Sequence, residues 1–565
     1  MPTHPAAGRI RTPALALALA ALALGGCGNG AKSGRFCSPA PVGTADPVQH
    51  FDAASWGGCD TLTVQVPSLG AGEQLALVLV NQGGPDNTVP TVAVSGTSAT
   101  LPLVDAPLLA SLHLDALLAP GLEAQAARAA AHDAVRRRSD DALSAWLAAG
   151  SPSAPAPASP RVDLAVAAPV VGDTRSFCVQ RFNNSTSTIT EQKTATLRHV
   201  SAHAYYYVVN DVQPGFDAAA AALGGSADTT IWAPLEADYE TPATGILARL
   251  GQYFGTETDV DANGKMIFLF ANLGQISSTG FPVGYFDSKD VIYAQDTTCN
   301  PAGALKASNG ADILYLLDIG SFASHSYPYG TILDAEYPGT MAHELQHNVN
   351  FNVKCWAPVH AGQSCLVEDT WVNEGLSMVS EDLAGYGLAT TSERSRLGQY
   401  FATYQGWSMT DWQSDAIGNY GGAHAFMRYW LDQRGSALTT ALVTSRLVGN
   451  ANVEAATGVA FEAALARFAG ASIFSGETFA PTAPTAGEWQ YATGVPWSPL
   501  HTSLGYVNYT ALTPGLASSP TLRTDGWATL VTGTGSGGPA TLTVTSGAAV
   551  KPTALLVRFS GSLPR

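Results

Sequence analysis

Apolar residues alternate with polar ones in short runs near both ends of this 565-residue chain and recur at helical spacing further in. Leu62-Thr63-Val64-Gln65-Val66 alternates strictly, 75–80 is a continuous apolar run, and Thr91-Val92-Ala93-Val94 follows after Gly, Pro and Asn turn residues. Alternation puts every second side chain on one face of a strand, so 28–104 predicts a small N-terminal β-rich, sandwich-like domain. Ala and Leu at helical spacing fill 108–149, and 151–160 is all Ser, Pro and Ala. The stretch 105–160 therefore reads as a helical segment and a linker. Its Arg136, Arg137 and Arg138 suit a solvated helix face or a processing site.

Strand patterns recur at 194–197, 204–209, 266–270 and 313–317, with one helix over 242–254. Beyond Glu336 the period is helical, over 340–351, 372–383, 392–404, 422–433 and 461–475. Strands first and helices second predict an α+β domain over 161–478. From 479 to 565, Trp527-Ala528-Thr529-Leu530-Val531 and Ala540-Thr541-Leu542-Thr543-Val544 alternate about a Gly-rich turn. They predict a C-terminal β-sandwich-like domain.

One helical stretch carries chemistry. His343-Glu344-Leu345-Gln346-His347 reads H-E-x-x-H, with two histidines one turn apart on one helix face. Such a pair can hold one zinc ion, and the glutamate between them can take a proton from a zinc-bound water. The metzincin continuation needs Gly and His where Asn350 and Val353 stand, so it is excluded. The other common third ligand is a glutamate on a second helix. Glu374 fits it, in Trp371-Val372-Asn373-Glu374-Gly375-Leu376-Ser377, where Val372, Leu376, Val379 and Leu383 have helical spacing.

Together, H-E-L-Q-H and W-V-N-E-G-L-S resemble the gluzincin clan, which includes thermolysin and the zinc aminopeptidases. With A-H-E-L-Q-H-N-V-N-F, W-V-N-E-G-L-S-M-V-S-E-D and the later Y-G-G-A-H-A-F-M-R-Y-W, the stretch from Val171 to Ser475 is more closely similar to the hyicolysin-type bacterial metallopeptidases. The resemblance implies a thermolysin-like catalytic domain flanked by the two β-sandwich-like domains. It implies zinc bound by His343, His347 and Glu374, Glu344 as general base, and a protein or peptide substrate. The aminopeptidase G-x-M-E-N box is missing, which favours an endopeptidase. Glu381, two turns after Glu374, is expected to orient a zinc histidine, with Asp382 a lesser candidate. Tyr420 is the first choice for the donor to the oxyanion and His424 the second.

Composition narrows the setting. Charged residues make up 13% of the chain and the net charge is −17, without the basic stripe that nucleic acid requires. Arg9 and Arg11 precede an apolar run at 14–24, and Leu24-Gly25-Gly26-Cys27 resembles a bacterial lipobox. Residues 1–27 thus predict a lipoprotein signal with lipid on Cys27 as the one membrane attachment. The expected location is the bacterial cell envelope, the outer membrane in a Gram-negative host, or the extracellular space. Six further cysteines suit an oxidising compartment, and nearest-neighbour pairing gives Cys37–Cys59, Cys178–Cys299 and Cys355–Cys365 among the alternatives. Asp259-Val260-Asp261-Ala262-Asn263-Gly264 matches the opening of a calcium loop through Asp259, Asp261 and Asn263, although Phe270 replaces its final glutamate and a simple turn explains it equally well. A monomer is expected. A lipid-anchored adhesin with a vestigial site, or a zinc hydrolase of a non-peptide bond, stays open as an alternative.

Overall fold

The computed structural model describes residues 40–41, 48–98, 133–150, 168–183, 188–275, 280–296, 298–299, 307–387, 391–412, 417–474 and 509–560. The expected signal segment with Cys27, the 151–160 linker and Cys37 lie outside these residues. Helix and strand are mixed, and the strands form three sheets among the described residues.

In chain order the strands are β1 (Ala40–Pro41), β2 (Val48–Phe51), β3 (Thr61–Val66), β4 (Glu73–Asn81), β5 (Thr91–Ser95), β6 (Thr174–Phe182), β7 (Thr188–Val200) and β8 (Ala204–Val209). Then come β9 (Met266–Ala271), β10 (Gly284–Phe286), β11 (Ile313–Leu317), β12 (Thr510–Leu512), β13 (Gly526–Thr532), β14 (Ala540–Thr545) and β15 (Thr553–Ser560). One six-stranded sheet has the order β10-β11-β9-β8-β7-β6. Within it β8, β9 and β11 run parallel, with Tyr205 opposite Ile267 and Ile267 opposite Ile313. Every residue of these three strands is buried. Parallel strands are covered on both faces, which accounts for their unbroken apolar sequences. β10 joins the edge antiparallel to β11.

The H-E-x-x-H helix, Tyr337–Phe351, packs on this sheet. The Tyr337 ring meets Phe270 edge-on with centroids 5.2 Å apart, and its hydroxyl donates to the Leu317 carbonyl at 2.7 Å. At β10 the approach is so close that a methyl on Gly284 would stand 2.6 Å from Thr340 Cγ2 and 2.7 Å from the Tyr315 carbonyl oxygen. The Glu374 helix, Thr370–Ala384, lies alongside, tied by the Ser380 hydroxyl to the Ala342 carbonyl at 2.9 Å. Helices Thr391–Thr403, Ile417–Arg434 and Phe461–Phe474 complete the helical lobe. The helix expected over 242–254 starts later, at Ile246, because Ala243 takes a left-handed φ of 67° in the preceding turn.

The two terminal β-segments are not separate flanking domains. β14 pairs with β3 on one side and β5 on the other, and β4 lies between β13 and β15. Strands from both ends of the chain therefore build one pair of sheets. The reason is visible in β4, an apolar run with two faces to bury. Leu75, Leu77 and Leu79 join the core between the sheets, with Leu530, Leu542 and Leu556. Ala76, Val78 and Val80 face the opposite way into the main core, with Trp527, Val531 and Val557. Tyr404 stacks on Trp527 at 3.9 Å, and the Trp527 indole donates to the Tyr400 hydroxyl at 2.8 Å, which fastens this unit to the helical lobe.

Cys178–Cys299 and Cys355–Cys365 are disulfides. The second closes the segment between the H-E-x-x-H and Glu374 helices. There Lys354 and Glu368 form a buried ion pair at 2.6 Å, and the Glu368 carboxylate also accepts from the Gly449 amide and the Asn452 side chain. Among the described residues no helix is long and apolar enough to cross a membrane.

Candidate metal centre

Helical periodicity brings His343 and His347 to one face of their helix, with ring centroids 4.9 Å apart. The Glu374 helix crosses that face. His343 Nε2 lies 3.4 Å and His347 Nε2 3.5 Å from the same oxygen, Glu374 Oε2. One ligand atom from each residue falls within a 4.8 Å cluster, and all three side chains are buried. Two imidazole nitrogens and a carboxylate oxygen aimed at a common point are a donor set for a metal ion, and borderline-soft zinc takes these donors readily.

The other ring nitrogens are also held. His343 Nδ1 is 2.9 Å from Glu381 Oε1. Glu374 and Glu381 are two turns apart on one helix, so a single face supplies both the carboxylate beside Nε2 and the one beside Nδ1. His347 Nδ1 lies 3.1 Å from Ser377 Oγ, and that hydroxyl is 2.5 Å from Gln346 Oε1. The carboxylate at His343 Nδ1 fixes which nitrogen of that ring carries the proton and leaves the other as a ligand, whereas Ser377 Oγ, also 3.4 Å from His347 Nε2, braces the second ring without selecting a nitrogen. The sequence reading did not single out Ser377. Its signal was present, because 374, 377 and 381 follow i, i+3, i+7 spacing along one face.

Glu344 Oε2 accepts a hydrogen bond from the Phe286 amide at 2.9 Å. Phe286 ends β10, so the edge strand orients this carboxylate beside the two histidines. Gly375 sets the depth of the Glu374 helix. A methyl there would stand 2.8 Å from Met427 Cγ and 3.0 Å from the Ala423 carbonyl oxygen.

Tyr420 is buried with Met378 and Ile417, under the Arg396 guanidinium at 4.6 Å. Burial first and the Glu374 charge second hold its hydroxyl well above the usual tyrosine range, so it stays protonated. His424, the second choice, is buried with Nε2 2.7 Å from Asp382 Oδ2, and this pair ties two helices together. Asp259 and Asp261 come within 4.8 Å of a third carboxylate, Asp312, which adjoins β11. The Asn263 side-chain amide donates to Asp261 Oδ2 at 2.7 Å. Asp312 accepts from the Thr258 hydroxyl and from the Val260 amide, so it caps the turn, and the three carboxylates together form a group that could hold a cation.

A cavity of about 300 Å³ opens beside the metal centre. His347 and Glu374 line it on one side, Tyr285 and Phe286 of the edge strand on another, and Lys354 and Glu368 on a third. The described helix at 133–148 forms a further wall through Arg136 and Asp140. Two residues of the candidate ligand set and the sheet's edge strand thus face one partly open cavity. No family model matches the chain, and no curated protein does.

Proposed function

We propose that this chain is an exported, zinc-dependent endopeptidase whose catalytic unit is of the thermolysin-like, gluzincin type. The observation that carries the reading is the convergence of His343 Nε2 and His347 Nε2 on Glu374 Oε2, with Glu344 poised on the same helix. His343, His347 and Glu374 would hold the ion. When bound, it supplies Lewis acidity toward a water and a substrate carbonyl.

The chain's own groups do the rest. Glu344 removes a proton from the attacking water and delivers it to the leaving amine. The Phe286 N–H holds one Glu344 oxygen at 2.9 Å and so orients the carboxylate beside the two histidines. Glu381 keeps the His343 imidazole in one tautomer and orientation, and Ser377 braces the His347 ring. The protonated Tyr420 hydroxyl is the candidate donor to the oxyanion. β10 is the sheet's edge strand, and an extended peptide adds to such an edge through main-chain hydrogen bonds, with side chains entering the cavity. Casein hydrolysis by the purified protein tests the reading. It is expected to stop on dialysis against a chelator and to return with added zinc. Hydrolysis that survives complete metal removal contradicts it.

A further inference from the structure

One wall of the cleft comes from outside the α+β region. The helix at 133–148 is separated in the chain from β6 by the Ser, Pro and Ala stretch 151–160, yet it sits at the metal centre. Val135, Arg136, Ser139, Asp140 and Leu143 line the same cavity as His347 and Glu374. The Glu374 charge is felt by both Arg136 and Asp140.

The mode of attachment suggests a docked part. Leu143 and Trp146 enter a small apolar cluster with Val291 and Ile292, just beyond the edge strand, and with Cys355 and Trp356, beyond the H-E-x-x-H helix. The helix thus bridges both sides of the cleft. Ser139 Oγ lies 2.7 Å from Ser288 Oγ and accepts from the Ser288 amide at 2.9 Å, directly after β10. The Tyr293 hydroxyl donates to the Ala142 carbonyl at 3.2 Å. Arg136 is satisfied within the helix, pairing with Asp133 at 2.6 Å and with Asp140 at 2.9 Å. The Trp146 indole N–H meets no hydrogen-bond acceptor among the described residues. The cavity, about 300 Å³ and partly open to solvent, is at the low end of small-ligand sites, about 300–1,000 Å³, and a peptide strand several residues long needs more.

We propose that helix 133–148 is a built-in inhibitory element that covers the substrate cleft and must undock before a protein substrate reaches the metal centre. The proposal rests on the endopeptidase reading for its substrate, but not for the occlusion itself. Undocking does not require loss of the N-terminal fragment. β3, β4 and β5 stay paired with strands from the other end of the chain, so a cut in 151–160 leaves the helix tethered and frees one end of it. Activity then scales with the undocked fraction.

The test uses the full chain, as wild type and as the double variant Leu143→Ala, Trp146→Ala, which removes the apolar anchor and leaves the metal ligands and Glu344 in place. Zinc content, casein hydrolysis and the association rate of a small peptide hydroxamate are measured on both. With zinc unchanged, the variant is expected to gain at least about tenfold in kcat/KM and in hydroxamate association, as expected if the undocked fraction rises by that factor. Equal or lower association with zinc retained overturns the proposal and makes the helix a fixed wall of the site. Faster association without casein hydrolysis upholds occlusion and removes the endopeptidase reading. If the double variant does not fold, a specific protease site placed in 151–160 decides. Cutting there is expected to raise amide exchange over 133–148 together with hydroxamate association, and no change in either after complete cutting overturns the proposal.

Discussion

Glu381 Oε1 lies 2.9 Å from His343 Nδ1, on the side of the ring opposite the nitrogen that faces Glu374. One imidazole is therefore held between two carboxylates of a single helix. Removing the outer carboxylate leaves the ligands in place but lets the ring rotate and change tautomer. Glu381→Ala is expected to weaken metal binding about 10–100-fold, as losses of such supporting partners do. Competition against a chelator of known affinity measures it, and unchanged affinity would reduce Glu381 to a packing residue.

Much of this centre is legible in the sequence because its information is local. Five consecutive residues fix two imidazoles and a carboxylate on one helix, and helical spacing alone aligns Glu374 with Glu381. Phe286 and Asp312 are different. The first contributes a backbone amide, which no side-chain pattern marks, and the second reaches its cluster through sheet pairing. The fold divides in the same way. Strands such as β8 and β11 announce themselves by unbroken apolar runs, whereas the pairing of β3 with β14 leaves no local trace. Alternation in β3 shows that a partner sheet exists and says nothing about which end of the chain supplies it. The 75–80 run held the clue, since a strand apolar on both faces needs cover on both.

Gly375 gives a second prediction. An alanine methyl would press on Met427 Cγ and on the Ala423 backbone, which has no room to give. Gly375→Ala is expected to cost about 1–3 kcal/mol of stability through overpacking. Because the strain falls beside Glu374, metal affinity should drop with it. Denaturant unfolding and chelator competition on the same variant check both, and retention of both would show that the two helices can separate freely.

The Cys355–Cys365 bridge closes a short loop between the two ligand helices. Chain entropy predicts a loss of about 3 kcal/mol when both cysteines become serine. Equilibrium unfolding of the oxidised wild type against the double serine variant measures this. A difference near zero would mean that the Lys354–Glu368 pair and its neighbours order the loop unaided.

Asp312 predicts a pH dependence. Burial pushes its carboxyl up from 3.8 to about 7, against hydrogen bonds from Thr258 and Val260, and the charges of Asp261 and Asp259 add to the rise. The folded chain thus keeps a proton that the unfolded chain releases above its lower pKa. The stability this group contributes is fully present below about pH 4 and is lost as pH rises through about 7. The melting temperature of wild type minus that of Asp312→Asn is expected to fall across that window. A difference independent of pH would show that Asp312 ionises normally.

The central claim is that Glu344 is the base of a metal-dependent peptide hydrolysis and not a structural carboxylate. Glu344→Gln preserves shape and can still accept from the Phe286 amide, but it cannot take a proton from water. Bound zinc and casein hydrolysis, measured together on wild type and Glu344→Gln, test it most directly. The expected result is equal zinc content with hydrolysis reduced by about 10²–10⁴-fold or more. Undiminished hydrolysis in the zinc-loaded variant would contradict the account.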